Sequence, residues 1–318
     1  MTLALVVADP PERFHPIRET TSYMVSALRS RGVQVYLCAP AGIQVRGSEV
    51  VAAARRVEAL SPPPFEYRLG ELENLPASRF AVIFLRHDPP VDECFRAPLL
   101  LLRLVAERVR FINQPAALLE WSEKTLPLLW PELTPRTWIV SDIAQATAAV
   151  AELGHAVAKP VNRAGGSGVF VLREGDPNVP VILEECLRRE PRLIIQRYLP
   201  GVAGGDARIL VLGGEILGSF LRVPAPASHR ANLHRGGKPV RWDVPPETRR
   251  RLQPVLARLP SLGVDFAGLD WIDGHLTEIN ITSPMGLREL EDLEIRSPDG
   301  RTAAEMVIDH CLDAGRHG

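Results

Sequence analysis

The 318-residue chain carries 37 basic against 38 acidic side chains, with 46% of residues hydrophobic and 24% charged. Charge this balanced gives no electrostatic footprint for nucleic acid or a membrane surface, and no apolar stretch approaches the roughly 18 residues of a membrane helix. The length exceeds what one core usually serves, so two or three lobes around a small-molecule cleft are expected.

In chain order, the apolar run Leu3–Ala8 is stopped by Asp9-Pro10-Pro11 and lacks a basic flank, so it reads as a buried first strand and not as a signal peptide. Glu19-Thr20-Thr21 caps a helix to Arg31, Gly32 ends it, and a strand follows over Val33–Cys38. Another apolar run, Phe80–Leu85, precedes Arg86-His87-Asp88-Pro89-Pro90. A Leu-rich helix near Ala97–Arg108 then leads into Arg110–Asn113. Continuous apolar strands between helices predict an α/β lobe over residues 1–118, with a parallel sheet covered on both faces. Residues 119–200 read as an α+β lobe. It has a helix around Glu123–Trp130, strands at Trp138–Val140, Ala156–Lys159, Val169–Leu172 and Leu193–Gln196, and helices near Ile143–Leu153 and Val179–Arg188. Residues 201–318 form a third lobe. Its strands are Arg208–Leu212 and Ile216–Arg222, followed by a Pro/Gly/Arg/His-rich loop at Val223–Pro239 and a helix over Glu247–Leu262. Strands Ala267–Ile272 and His275–Ile279 make a hairpin around Asp273-Gly274.

Cys38, Cys94, Cys186 and Cys311 stand apart, without a C-x-x-C pair, and are expected to be reduced thiols of a cytoplasmic protein. No histidine pairs with a recognisable nucleophile, and Gly165-Gly-Ser167-Gly lacks the spacing of a nucleophile elbow, so hydrolase chemistry has no support. Arg249-Arg-Arg251 reads as a solvated helix face, and the scattered tryptophans as core.

Three constellations carry chemistry. Lys159-Pro-Val-Asn-Arg-Ala-Gly-Gly-Ser-Gly168 sets a lysine at a strand end before a glycine-rich turn, where backbone N–H groups can converge on phosphate oxygens. Strand follows instead of helix, so it is neither a Walker A loop nor a dinucleotide fingerprint, and taken alone it fits an ordinary hairpin equally well. In Asp270-Trp-Ile-Asp-Gly-His-Leu-Thr-Glu278-Ile-Asn280, alternation sends Glu278 and Asn280 to one face, with Asp270 able to pair opposite. Three oxygen ligands on one face suit Mg²⁺, and the competing reading is a solvated edge hairpin. Gln196-Arg-Tyr-Leu-Pro200 leaves an apolar strand and offers backbone polar groups beside apolar walls.

In this order and spacing the three resemble an ATP-grasp fold, two α+β lobes clamping ATP behind an N-terminal α/β lobe. The closer resemblance is to bacterial glutathione synthetases, over nearly the whole chain. It is carried by Arg86-His-Asp-Pro-Pro, Asn113-Gln-Pro, Ser122-Glu-Lys124, the Lys159 loop, Gln196-Arg-Tyr-Leu-Pro, Gly205-Asp-Ala-Arg208, Arg230-Ala-Asn-Leu-His-Arg-Gly-Gly237, and Gly268-Leu-Asp270 through Arg288-Glu289.

This resemblance implies that Lys124, Lys159, Gly165, Gly166, Ser167, Gln196, Tyr198, Leu199 and Asp206 bind ATP. It implies that Asp270, Glu278 and Asn280 hold two Mg²⁺ ions, with Mn²⁺ as a substitute, and that Arg208 and Arg222 face the reacting phosphoryl and carboxylate groups. Arg86, Asp88, Arg230, Asn232, Ser283 and Arg288 would lie toward the peptide substrate, with residues 223–239 as a lid. The implied reaction joins γ-glutamylcysteine to glycine through an acyl phosphate, in a homo-oligomer, tetramer or dimer. Departures from the family pattern at Asn162-Arg163, Glu19-Thr20-Thr21 and Ser283-Pro284-Met285 leave two rivals open. One is an ATP-grasp ligase for another acid, and the other a nucleotide-binding protein without catalysis.

Overall fold

The computed structural model describes residues 2–162, 168–224 and 237–313. β1 (Leu3–Val7) and β2 (Gln34–Cys38) pair in parallel and are joined by α1 (Thr20–Ser30). The Glu19 carboxylate caps this helix by accepting from the Thr21 N–H at 2.9 Å, satisfying a donor that the first turn leaves orphaned. Then come β3 (Ile43–Arg46), β4 (Glu49–Leu60), β5 (Tyr67–Pro76), β6 (Val82–Leu85), α2 (Glu93–Leu102), β7 (Arg110–Ile112) and α3 (Pro115–Glu120). Strands β2, β1, β6 and β7 form the expected parallel sheet. The unexpected part is an antiparallel extension, in which β4 pairs with β2, β3 and β5. In β4 the run Val50–Ala54 is mostly alanine and is followed by Arg55-Arg56, and β5 carries charges and no long apolar run, so neither announces a strand, and much of β5 is exposed.

The second sheet has the order β10-β9-β11-β8, all antiparallel, from β8 (Thr137–Val140), β9 (His155–Pro160), β10 (Phe170–Arg173) and β11 (Leu193–Arg197). It is backed by α4 (Ile143–Leu153) and α5 (Val179–Arg189). The helix expected around Glu123–Trp130 is instead turns with a short 3-10 stretch at Leu126–Leu129, because Pro127 and Pro131 interrupt any longer helix.

The third sheet, β14-β13-β12-β15-β16, uses β12 (Asp206–Leu212), β13 (Glu215–Val223), β14 (Lys238–Arg241), β15 (Phe266–Ile272) and β16 (His275–Asn280). Helices α6 (Pro246–Arg258), α7 (Leu287–Asp292) and α8 (Ala303–Asp313) accompany it.

Hydrophobic clustering divides the molecule unevenly. The first and third sheets share two continuous cores. One joins Leu5, Ile83 and Leu99 to Val255, Leu269 and Ile279, and the other joins Met24, Leu28 and Phe84 to Phe220, Phe266 and Ile308. The second sheet closes a core of its own around Ala146, Leu183, Leu193 and Ile195. Buried Asn113 fastens the shared body. Its Nδ2 donates to the carbonyls of Phe266 and Ile281, both at 2.7 Å, and its Oδ1 accepts from the N–H groups of Asp265 at 2.8 Å and Phe266 at 2.7 Å.

Candidate active site

Strand register assembles a charged ladder on one face of the third sheet, since residues two apart on a strand and residues paired across strands share a face. On β12, Asp206 lies opposite Arg222 of β13, and Arg208 lies opposite Asp270 of β15, which in turn faces Glu278 of β16. Asn280 pairs with Gly268. A Cβ on Gly268 would come within 3.0 Å of Arg208 Nη1, so a side chain there would crowd the arginine that crosses it.

Arg208 Nε donates to Asp270 Oδ1 at 2.8 Å, and its Nη1 donates to the Met285 carbonyl at 3.1 Å. Arg222 Nη2 meets Asp270 Oδ1 at 3.0 Å and also pairs with Asp206. All four of these ladder side chains are buried. Burial works against the charge of Asp270, but Arg208 and Arg222 outweigh it and hold the carboxyl below the ordinary range. The same contest raises Arg222, with Asp206 and Asp270 overcoming its desolvation. Asp206 goes the other way, pushed up to about 6 by burial against the pull of Arg222. Its Oδ1, like Arg222 Nε, is buried without a hydrogen-bond partner. Unsatisfied atoms of this kind inside a charged cluster are suited to receive a polar ligand.

Two lysines reach this space. Lys124 Nζ meets Glu278 Oε1 at 3.1 Å. From the second lobe, Lys159 donates to Gln196 Oε1 at 2.9 Å, and the Gln196 amide donates to Thr137 Oγ1 at 2.8 Å. Desolvation lowers Lys159 to about 8, and the charges of Glu278, Lys124 and Asp270 also act on it. Between the lobes, a pocket of about 160 Å³ is lined by Arg96, Trp121, Lys124, Asn162 and Thr282 among others.

For a metal, the donor set is mixed. Among the described residues no three His, Cys, Asp or Glu side chains cluster as a ready site. Asp270, Glu278 and Asn280 provide two carboxylates and one amide. The Asn280 Nδ2 donates to the Gly268 carbonyl at 3.0 Å, which leaves Oδ1 as the available ligand atom. Such a set fits Mg²⁺, which takes one or two carboxylates and completes its octahedron with water and phosphate oxygens.

At the hinge expected to seat adenine, Leu199 is buried and Tyr198 stacks on His155, with centroids 4.0 Å apart. The Tyr198 N–H is already given to the His155 carbonyl at 3.0 Å. Toward the first lobe, buried Arg86 donates to Thr21 Oγ1 at 3.2 Å and to the Pro284 carbonyl at 3.1 Å. Its Nη2 has no hydrogen-bond partner. Ser283 Oγ lies within hydrogen-bond reach of two acceptors, the Arg86 carbonyl at 3.3 Å and the Asp88 carboxylate, and its one proton serves one of them at a time. Arg86, Asp88 and Ser283 are thus brought together. Arg288 is engaged by Tyr23 and Asp292 at 2.8 and 2.6 Å. Gly165, Gly166, Ser167, Arg230 and Asn232, with most of the expected lid, lie outside the described residues. Sequence reasoning assigns no role to Glu123, Thr137 or the Met285 carbonyl; Glu123 lies in the Ser122-Glu-Lys124 motif and Met285 in the Ser283-Pro284-Met285 turn, while Thr137 carries no signal.

Two family models match, one described as the prokaryotic glutathione synthetase N-terminal domain over residues 1–118 and one as the prokaryotic glutathione synthetase ATP-grasp domain over residues 123–295. Glutathione synthetase of Prochlorococcus marinus (strain MIT 9313) is 36% identical over 314 residues, covering 97% of this chain and 98% of that protein. The glutathione synthetase of Coxiella burnetii is 34% identical over 289 residues, covering 90% of each. Among solved structures, D-alanyl-alanine synthetase A from Vibrio cholerae has a TM-score of 0.65 at 12% identity, covering 100% of this chain and 99% of that one. D-cycloserine synthetase DcsG has a TM-score of 0.63 at 16% identity, covering 98% and 100%. At such identities the two solved structures share the fold alone.

Proposed function

The chain belongs to the prokaryotic glutathione synthetase family, and on that premise we propose how its residues divide the work. It is an ATP-dependent ligase that makes glutathione, and the substrates are γ-glutamylcysteine and glycine. The γ-glutamylcysteine C-terminal carboxylate attacks the γ-phosphorus of ATP, the bond to ADP breaks, and an acyl phosphate forms. The glycine amine then attacks the acyl carbon, phosphate leaves, and the amine proton is lost to solvent.

Joining two anions needs fixed positive charge, and that need assigns the roles. Lys124 and Lys159 hold ATP phosphates, while Arg208 and Arg222 face the transferring phosphoryl group and the acyl phosphate. Gln196, Tyr198 and Leu199 line the adenine seat, with Tyr198 contributing its carbonyl and ring. Arg86, Asp88 and Ser283 receive the peptide. When bound at Asp270, Glu278 and Asn280, Mg²⁺, or Mn²⁺ in its place, supplies Lewis-acid neutralisation of phosphate charge. The observation that carries this reading is the convergence of two arginines, two lysines and three metal-type oxygens on one face between two lobes.

We place the enzyme in the cytoplasm as a homo-oligomer, dimer or tetramer. Four free cysteines agree with the cytoplasmic setting, and among the described residues no helix is long and apolar enough to cross a membrane. Phosphate release from Mg-ATP tests the function when γ-glutamylcysteine and glycine are each omitted or replaced in turn. Release that requires both, with glutathione detected, is expected. Turnover with a different acid would reassign the substrate, and nucleotide binding without turnover would leave a non-catalytic protein.

A further inference from the structure

The strand that bears Glu278 and Asn280 is an edge strand of the third sheet, and its outer side is covered by the chain that leads from the first lobe to the second. The Leu133 carbonyl accepts from the Leu276 N–H at 2.8 Å, and the Glu123 carbonyl accepts from the Ile279 N–H at 3.0 Å. Beyond that point the backbone ladder stops and a side chain continues it. Glu123 Oε1 accepts from the N–H of Ile281 at 2.9 Å, the N–H of Thr282 at 2.9 Å and the Thr282 hydroxyl at 2.8 Å. Glu123 is buried, as is Thr282. The next residue along the chain is Lys124, whose Nζ meets Glu278 Oε1 at 3.1 Å. One carboxylate therefore joins the segment carrying a phosphate lysine to the end of the strand carrying two metal-type ligands.

We propose that Glu123 is a positioning residue that makes Lys124 and the Glu278–Asn280 strand one rigid unit, fixing the spacing between the lysine's charge and the bound metal-nucleotide. The proposal rests on the phosphate and metal roles given to Lys124, Glu278 and Asn280 above. Its chemistry follows from geometry. Ile281 and Thr282 lie past the last paired residue of β16, so their N–H groups have no strand partner, and a carboxylate oxygen is the strongest acceptor a side chain can offer to converging donors. A flexible contact at this place would let the lysine drift relative to the metal site. Residues that orient metal ligands in this way cost on the order of tenfold to a hundredfold in metal affinity or activity when removed.

The test compares Glu123→Ala and Glu123→Gln with Lys124→Ala and Glu278→Gln in the full-length enzyme. KM and kcat are measured separately for Mg-ATP and for γ-glutamylcysteine, alongside the melting temperature. Glu123→Ala is expected to raise KM for Mg-ATP, or the Mg²⁺ concentration needed for half-maximal rate, by about tenfold or more, with KM for γ-glutamylcysteine within about twofold. Glu123→Gln, whose amide oxygen can still accept from the same donors, is expected to recover most of that loss. If Glu123→Ala does not fold, Thr282→Val removes the hydroxyl donor alone and is expected to give the same selective rise, about threefold in size. A folded Glu123→Ala enzyme with wild-type Mg-ATP kinetics overturns the proposal. So does a uniform rise in KM for all substrates together with a lower melting temperature, which would mark general loosening. Wild-type Mg-ATP kinetics in Lys124→Ala and Glu278→Gln would instead overturn the underlying site reading.

Discussion

At the scale of single residues, charge placement decides the chemistry. Glu278 is held by Lys124 at 3.1 Å and faces Asp270 across the strand pair. Glu278→Gln keeps the shape and removes the charge, so ligation is expected to fall by about a hundredfold or more while the thermal midpoint moves little. Steady-state turnover and a melting curve on the same preparation check both halves. Lys159, lowered by desolvation to about 8, gives a pH signature. Its ammonium is present below that pH and lost above it, so kcat/KM for Mg-ATP, which reports free-enzyme groups, is expected to decline above about pH 8. Lys159→Arg keeps its charge and is expected to abolish the decline even if the rate is lower. Stability follows the same proton. The unfolded chain holds it more tightly, so burying the lysine costs stability below about pH 8, and the cost fades as pH rises toward the unfolded value.

At the scale of elements, local rules and tertiary context share control. Helix α4 is readable to the residue, because Asp142 caps it by accepting from the Gln145 N–H at 2.8 Å and Gly154 stops it at a φ of 69°. Asp142→Ala is expected to cost about 1 kcal/mol, seen as a lower urea midpoint with unchanged Mg-ATP kinetics. The buried parallel strands are legible for a different reason, since a short unbroken apolar run such as Val82–Leu85 suits a strand covered on both faces. Strand β4 is hidden from a local reading because its burial does not alternate and its register with β5 shifts twice, so the pairing is set by its neighbours. Helix α2 begins earlier than its leucines suggest, because Asp92 caps it by accepting from the Phe95 N–H at 3.0 Å. In the site, alternation on β16 sends Glu278 and Asn280 to one face, but Asp270 joins them only because the β15–β16 register shifts by one residue between Asp270 and Trp271, a bulge that hairpin spacing does not announce. The alternation of Asp206, Arg222, Asp270 and Arg208 depends on which strands become neighbours, and that is not a local property of the sequence.

For the whole molecule, the cores divide the chain into two separately packed bodies. The second lobe has a hydrophobic core to itself, while the first and third share two. Lys159 and Gln196 therefore belong to a body packed separately from the one that carries the ladder of Asp206, Arg208, Arg222 and Asp270. Asn113 is a joint of the body shared by the first and third sheets, with four short hydrogen bonds to β15, its approach and the end of β16. Asn113→Ala leaves those buried groups unsatisfied and is expected to cost at least about 2 kcal/mol, read as a large drop in thermal midpoint. Hydrogen exchange on that variant should show faster opening in the first and third sheets than in the second. That shared body is also closed by α8 returning to α1, where Arg31 meets Asp309 at 2.8 Å and Glu305 at 3.0 Å, the first of these across 278 residues of chain. Met24, Val25 and Leu28 of α1 share their core with Val307 and Ile308 of α8. During synthesis, α1 thus leaves the ribosome long before the helix that covers it exists. Until the segment Ala303–Asp313 has been made, that apolar face of α1 lacks its partner helix.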